Sequence, residues 1–148
     1  MNPEELMRIA LERAQEGARD GEVPVGAVAV HQGSIIAAAH NSPIGRCDPT
    51  AHAEILALRA AAAHLGAYRL QGLEIVVTLE PCLMCFGAML HARVSRLVYG
   101  APDPKVGFTR LYPGLLHSAR LNHAIEIVDG VLAEECAALL RDFFQQKR

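Results

Sequence analysis

The succession of apolar patterns predicts an α/β fold: a central mixed sheet of five strands layered between helices on both faces. Three observations carry this. An amphipathic helical stretch precedes two β-type runs separated by a two-residue turn. Beyond that hairpin, helical and strand patterns alternate as far as Gly100, as expected when parallel strands are joined by helical crossovers. Residues 1–148 show no repeat, low-complexity tract or linker, so a single domain is expected, long enough to bury a core without disulfides.

Each element follows from local signals. Pro3 to Asp20 reads as a helix, since Leu6, Ile9, Ala10, Arg13 and Ala14 recur at helical spacing, Pro3 suits a first turn and Gly21 ends it. Val25 to His31 and Ser34 to Ala39 flank Gln32-Gly33, the spacing of a hairpin. Asn41 to Thr50 contains Pro43, Gly45 and Asp48-Pro49 and reads as a loop. Asp48 or Thr50 can then cap a helix from Ala51 to Leu65, stopped by Gly66. Glu74 to Leu79 is a strand, Cys82 to Ala92 a short helix and Ser95 to Gly100 another strand. Ala101 to His117 is a proline- and glycine-punctuated connection with room for one helical turn. Ile125 to Val128 is the last strand, and Val131 to Gln146 the closing helix.

Composition narrows the function classes. Hydrophobic residues make up 51%, yet Arg59 and His64 interrupt even the longest apolar stretch, Ile55 to Ala67, so no membrane span is expected. The acidic start, Met1 to Glu5, lacks the basic-then-apolar order of a signal peptide, and a cytoplasmic protein is the expectation. In that compartment Cys47, Cys82, Cys85 and Cys136 point to metal or catalytic use rather than a disulfide framework. A net charge of −2 gives no overall basic field for nucleic acid. Twelve of the 14 cations are arginine, the better phosphate partner, which leaves a local patch open alongside a base-composition origin.

The residues that carry chemistry are His52-Ala53-Glu54 and Pro81-Cys82-Leu83-Met84-Cys85. One imidazole and two thiolates suit Zn²⁺ and leave its fourth tetrahedral position open. Cys82 and Cys85, three apart, share a helix face, and the positive end of a helix favours the thiolate form. His52 and Glu54, two apart, can serve one site only if it lies over the helix end. Alone, Cys-x-x-Cys could be a redox pair or packing, and His-x-Glu is commonplace. In this order, each opening a helix, they form the signature of zinc nucleobase deaminases, in which Glu54 would carry protons between water, ring nitrogen and leaving ammonia. A structural zinc with His40 or Cys47 as fourth ligand is the bland alternative, and it has no use for Glu54.

On these residues the chain resembles the bacterial tRNA-specific adenosine deaminases, within the cytidine and deoxycytidylate deaminase superfamily. The likeness runs through Glu22 to Val28, Asn41 to Glu54, Thr78 to Ala88, Asn122-His123, Leu132 to Cys136 and Asp142 to Phe144. The resemblance implies a three-layer α/β/α cytidine-deaminase-like fold, one Zn²⁺ per subunit, a homodimer, and conversion of the wobble adenosine of a tRNA anticodon to inosine. It implies metal ligation by His52, Cys82 and Cys85, and proton transfer by Glu54. It further implies substrate contacts by Asn41, Val25, Leu79 and Asp103. Phe144, about 100° around the closing helix from Phe143, is the better placed of the two to meet an unstacked base, Phe143 reading as core. The ordinary alternatives are a local loop bond for Asn41, strand packing for Val25 and Leu79, a solvated turn for Asp103 and the edge of the apolar stripe for Phe144.

Departures matter too. Phe108 to Tyr112 reads Phe-Thr-Arg-Leu-Tyr where many relatives carry small residues, in a segment that borders the RNA site of the family. Arg110, Arg120, Lys105, Lys147 and Arg148 are the candidates for phosphate contacts. A deaminase of a free base or nucleotide (guanine, cytosine or deoxycytidylate) shares the zinc chemistry and is the rival reading. A zinc-stabilised partner subunit without activity is the third, and the presence of Glu54 counts against it.

Overall fold

The computed structural model describes residues 1–114 and 123–147. In chain order the elements are α1 (Pro3–Arg19), β1 (Gly26–His31), β2 (Ser34–His40), α2 (Pro43–Arg46), α3 (Ala53–Leu65), β3 (Leu73–Leu79), α4 (Leu83–Ala92), β4 (Arg96–Ala101), α5 (Phe108–Leu111), β5 (Glu126–Val128) and α6 (Ala133–Gln146). The strands form one sheet in the order β2-β1-β3-β4-β5. β1 is antiparallel to both β2 and β3, whereas β3, β4 and β5 run parallel. The mixed five-stranded sheet expected from the sequence is present.

The register distributes the core between the two faces. Val28, Val76 and Val98 stand side by side across β1, β3 and β4 and pack with Leu6, Met7, Ala10 and Cys136 beneath α1 and α6. Their strand neighbours Ala29, Ile75 and Leu97 point the other way and pack with Ala57, Leu58, Ala61, Phe86 and Met89 of α3 and α4. That alternation is the period of two of a sheet covered on both sides. Gly26 lets α1 approach: a Cβ there would overlap the Ala10 carbonyl oxygen. The hairpin turn puts both Gln32 (φ 51°) and Gly33 (φ 78°) in the left-handed region, as the twist of two-residue hairpins prefers.

Differences from the sequence expectation cluster at ends and loops. α3 is not capped by Asp48 or Thr50. Asp48 Oδ1 accepts instead from the Thr50 N–H (2.9 Å) and hydroxyl (2.8 Å), closing a local turn, and His52 takes the cap position. The loop expected at 41–50 contains the short helix α2. Phe143, read as core, is half-buried and lies outside both core clusters, because α6 buries only Cys136 fully. Among the described residues no helix is long and apolar enough to cross a membrane. His117, Arg120, Asn122 and Arg148 lie outside the described residues.

Candidate active site

Two helices aim their N-termini at one point. His52 is the N-cap residue of α3 and Cys82 that of α4, both with extended backbone and neither with a side-chain cap bond. Cys85 sits one turn into α4 and is fully buried. His52 Nδ1 lies 3.4 Å from Cys85 Sγ and 3.7 Å from Cys82 Sγ. A tetrahedral zinc holds nitrogen and sulfur donors about 3.6 Å apart, given bond lengths of about 2.05 and 2.3 Å. The donor set and its spacing therefore fit zinc. Among the described residues, this cluster of ligand atoms comprises His52, Cys82 and Cys85; His40 and Cys47 do not join it.

The protonation balance shows how tightly the donors interact. A hydrogen bond from Cys85 is the main reason the Cys82 thiol is pulled down to about 4, with His52 assisting. The same contact, together with burial, pushes Cys85 up. The bond with Cys82 raises His52, and burial opposes it. Glu54 is only 4% exposed in the first turn of α3, and burial pushes its carboxyl up to about 7. Such a group both takes and gives a proton near neutral pH, as a general acid/base must.

The other residues singled out from the sequence divide into two sets. Leu79, Asp103 and Phe144 line one open groove of about 390 Å³, with Val23, Pro102, Pro104, Lys105, Val106 and Leu140. Phe144 is 48% exposed there and meets Phe143 edge-to-face at 5.4 Å. Val25 and Asn41 are not part of that groove. Val25 is buried in the core on the α3/α4 side, and its carbonyl accepts the Asn41 N–H at 3.0 Å.

Two buried carboxyl groups escaped sequence reading, Glu22 and Glu80, each 3% exposed. Glu22 accepts the N–H groups of Ile44 (3.2 Å) and Gly45 (2.7 Å), fixing the turn after Asn41. Glu80 holds the segment around Asp103 and Thr109. Their signal was an acidic residue beside apolar residues, with no local partner. The Phe108 to Tyr112 departure also resolves. Phe108 is fully buried and stacks on Phe86 at 4.1 Å and 10°, so it is packing; Arg110, Leu111 and Tyr112 remain exposed.

A family model described as the cytidine and deoxycytidylate deaminase zinc-binding region matches residues 1–101, a span holding the triad and Glu54. The chain belongs to that family. It is a zinc-dependent hydrolytic deaminase. The deaminase is 48% identical to the tRNA-specific adenosine deaminase of Haemophilus influenzae, over 98% of this chain and 84% of that one. It matches a structure from studies of A-to-I editing by tRNA:A34 deaminases at the wobble position of transfer RNA, with a TM-score of 0.87 and 40% identity. That match covers 92% of this chain and 99% of that one. A guanine deaminase from Nitrosomonas europaea matches with a TM-score of 0.83 and 30% identity, over 96% of this chain and 84% of that one.

Proposed function

We propose that this deaminase converts adenosine to inosine at the wobble position of a tRNA anticodon. The observation that carries the reading is the buried Glu54 beside a three-donor metal cluster, in a chain nearly half identical to a tRNA-specific adenosine deaminase along its length. His52 Nδ1, Cys82 Sγ and Cys85 Sγ would hold one zinc per subunit. Bound there, zinc supplies acidified water for attack on the carbon bearing the exocyclic amine. Glu54 takes one proton from water and passes it to the ring nitrogen, then takes the proton of the newly added hydroxyl and passes it to the amine, which leaves as ammonia while the carbonyl forms. On the family resemblance, Leu79, Asp103 and Phe144 of the groove, together with Asn41 and Val25 outside it, would contact the extruded nucleotide.

Residues 1–148 act as a single cytoplasmic domain paired as a homodimer. Leu83 (42% exposed) and Met84 (38%), at the start of α4, are apolar side chains that a second copy would cover. Exposed Lys105, Arg110 and Lys147 supply phosphate contacts, so stem-loop binding weakens as salt rises.

The match to a guanine deaminase supports a rival, free-base deamination. One experiment separates the two. The zinc-loaded protein is incubated with an anticodon stem-loop bearing a wobble adenosine, and separately with adenosine, cytidine and guanine. Inosine in the stem-loop alone is expected. Turnover of guanine with an untouched stem-loop would transfer the assignment to the rival.

A further inference from the structure

The Glu80 carboxyl group takes no part in the chemistry above, yet it is almost wholly buried two residues before Cys82. Its Oε1 accepts the Asp103 N–H at 2.9 Å. Its Oε2 accepts the Thr109 N–H at 3.0 Å and also the Thr109 hydroxyl. One carboxyl group therefore ties both ends of the 103–109 segment. The Glu80 N–H itself donates to the Ala101 carbonyl at 2.8 Å, locking the strand ends together.

Between those ends the segment is closed on itself. Asp103 Oδ1 accepts the N–H groups of Lys105 (3.0 Å) and Val106 (3.2 Å), and the Asp103 carbonyl accepts the Gly107 N–H (3.1 Å). Gly107 packs so closely on Glu80 that a Cβ would overlap Oε1. The next residue, Phe108, donates its N–H to the Pro81 carbonyl at 3.1 Å and stacks on Phe86, the neighbour of Cys85. The segment is thus fastened to the residues on either side of the cysteine pair.

We propose that Glu80 is a positioning residue for substrate binding. It holds Pro102, Asp103, Lys105 and Val106 in place along the groove they share with Leu79 and Phe144 before any nucleotide arrives. A rim held in advance leaves less to be ordered on binding, and it suits an open site for a nucleotide that remains part of a longer chain. This deepens the tRNA reading and rests on it. Glu80 touches no reacting atom, so its removal should weaken binding and spare the chemical step.

The test is Glu80→Gln in the zinc-loaded protein, with an anticodon stem-loop as substrate. Glutamine keeps the size but turns an N–H₂ group toward either Asp103 or Thr109, whose N–H groups need an acceptor. KM should rise about tenfold. kcat should stay within about threefold and zinc content should not change. Thr109→Val, which loses only the hydroxyl bond, should move KM the same way by less. A fall in kcat at unchanged KM, or no change in either, overturns the proposal. If Glu80→Gln fails to fold, Thr109→Val is judged by the same split. If the unaltered protein leaves the stem-loop untouched, the functional reading falls, and amide exchange then decides the positioning role. Faster exchange at Asp103 and Thr109, with β3 still protected, supports it; unchanged exchange at both overturns it.

Discussion

α1 and the two site helices begin in opposite ways. At α1, Asn2 accepts the Glu5 N–H at 2.9 Å while the Glu5 carboxylate accepts the Asn2 N–H at 3.2 Å, a complete capping box. At α3 and α4 the cap residues are His52 and Cys82, with no side-chain cap bond at all. Their side chains converge instead, with Cys85, on one cluster that could hold a metal ion. Even the acidic residue of the first turn is used differently: Glu5 is exposed and bonded to its own cap, whereas Glu54 is buried at the site. A helix end that only needs stability satisfies its free N–H groups locally. A helix end that does chemistry keeps its cap side chain and dipole for the ligand.

The sharpest way to break this comparison is Cys82→Ser. Serine is a good N-cap residue, so α4 should start at least as stably as before. The thiolate is lost, however, and with it the zinc site and turnover. The metal-free variant should melt no lower than metal-free wild type, while zinc content after dialysis against a chelator and stem-loop deamination both collapse. Retained zinc and activity would show that Cys82 serves the helix rather than the metal. Next in size is Glu54→Ala, expected to keep zinc yet lose about 10²-fold or more in kcat. Glu5→Gln, the same turn in α1, should leave kcat unchanged. Equal effects at the two positions would erase the distinction.

Asn2→Ala sharpens the contrast from the stability side. It should cost about 1 kcal/mol, the usual value of an N-cap, and leave zinc content and kcat alone. Thermal or urea unfolding of zinc-loaded protein measures the first, and the stem-loop assay the second. The Asn2-x-x-Glu5 pattern could have been found in the sequence, because its partners are three residues apart.

That locality explains what the sequence did and did not reveal. His52, Glu54, Cys82 and Cys85 were legible because each pair sits within one helical turn, where spacing dictates geometry. The sheet was legible because apolar strands alternate with helices. The cap of α3 is not legible in the same way, since Asp48 and Thr50 satisfy each other before the helix starts. Glu22 and Glu80 stayed hidden for another reason. The N–H groups they accept lie 22 to 29 residues away, at distances only the folded chain can close. Phe108 looked like an altered substrate rim for the same reason, because its stacking partner Phe86 is remote in sequence.

A third cysteine near the start of a helix gives the mildest test. Cys136 is the fourth residue of α6 and its N–H donates to the Leu132 carbonyl; among the described residues it joins no cluster that could hold a metal ion. It is 1% exposed, and a Cβ at Gly100 would lie only 2.5 Å from its sulfur. Burial therefore pushes its thiol up from 9.0 to about 11, the reverse of Cys82 in the metal cluster. Between those two pH values the unfolded chain has released a proton that the folded chain keeps. Folding stability from this group is thus complete below pH 9.0 and declines as pH rises toward about 11. Melting temperatures of wild type and Cys136→Ala, compared at about pH 8 and about pH 10.5, isolate the effect. The alanine variant should melt lower at both because of the cavity, but its decline with pH should be the shallower. Parallel declines would mean that burial does not govern the Cys136 thiol, and the contrast between α4 and α6 would fail.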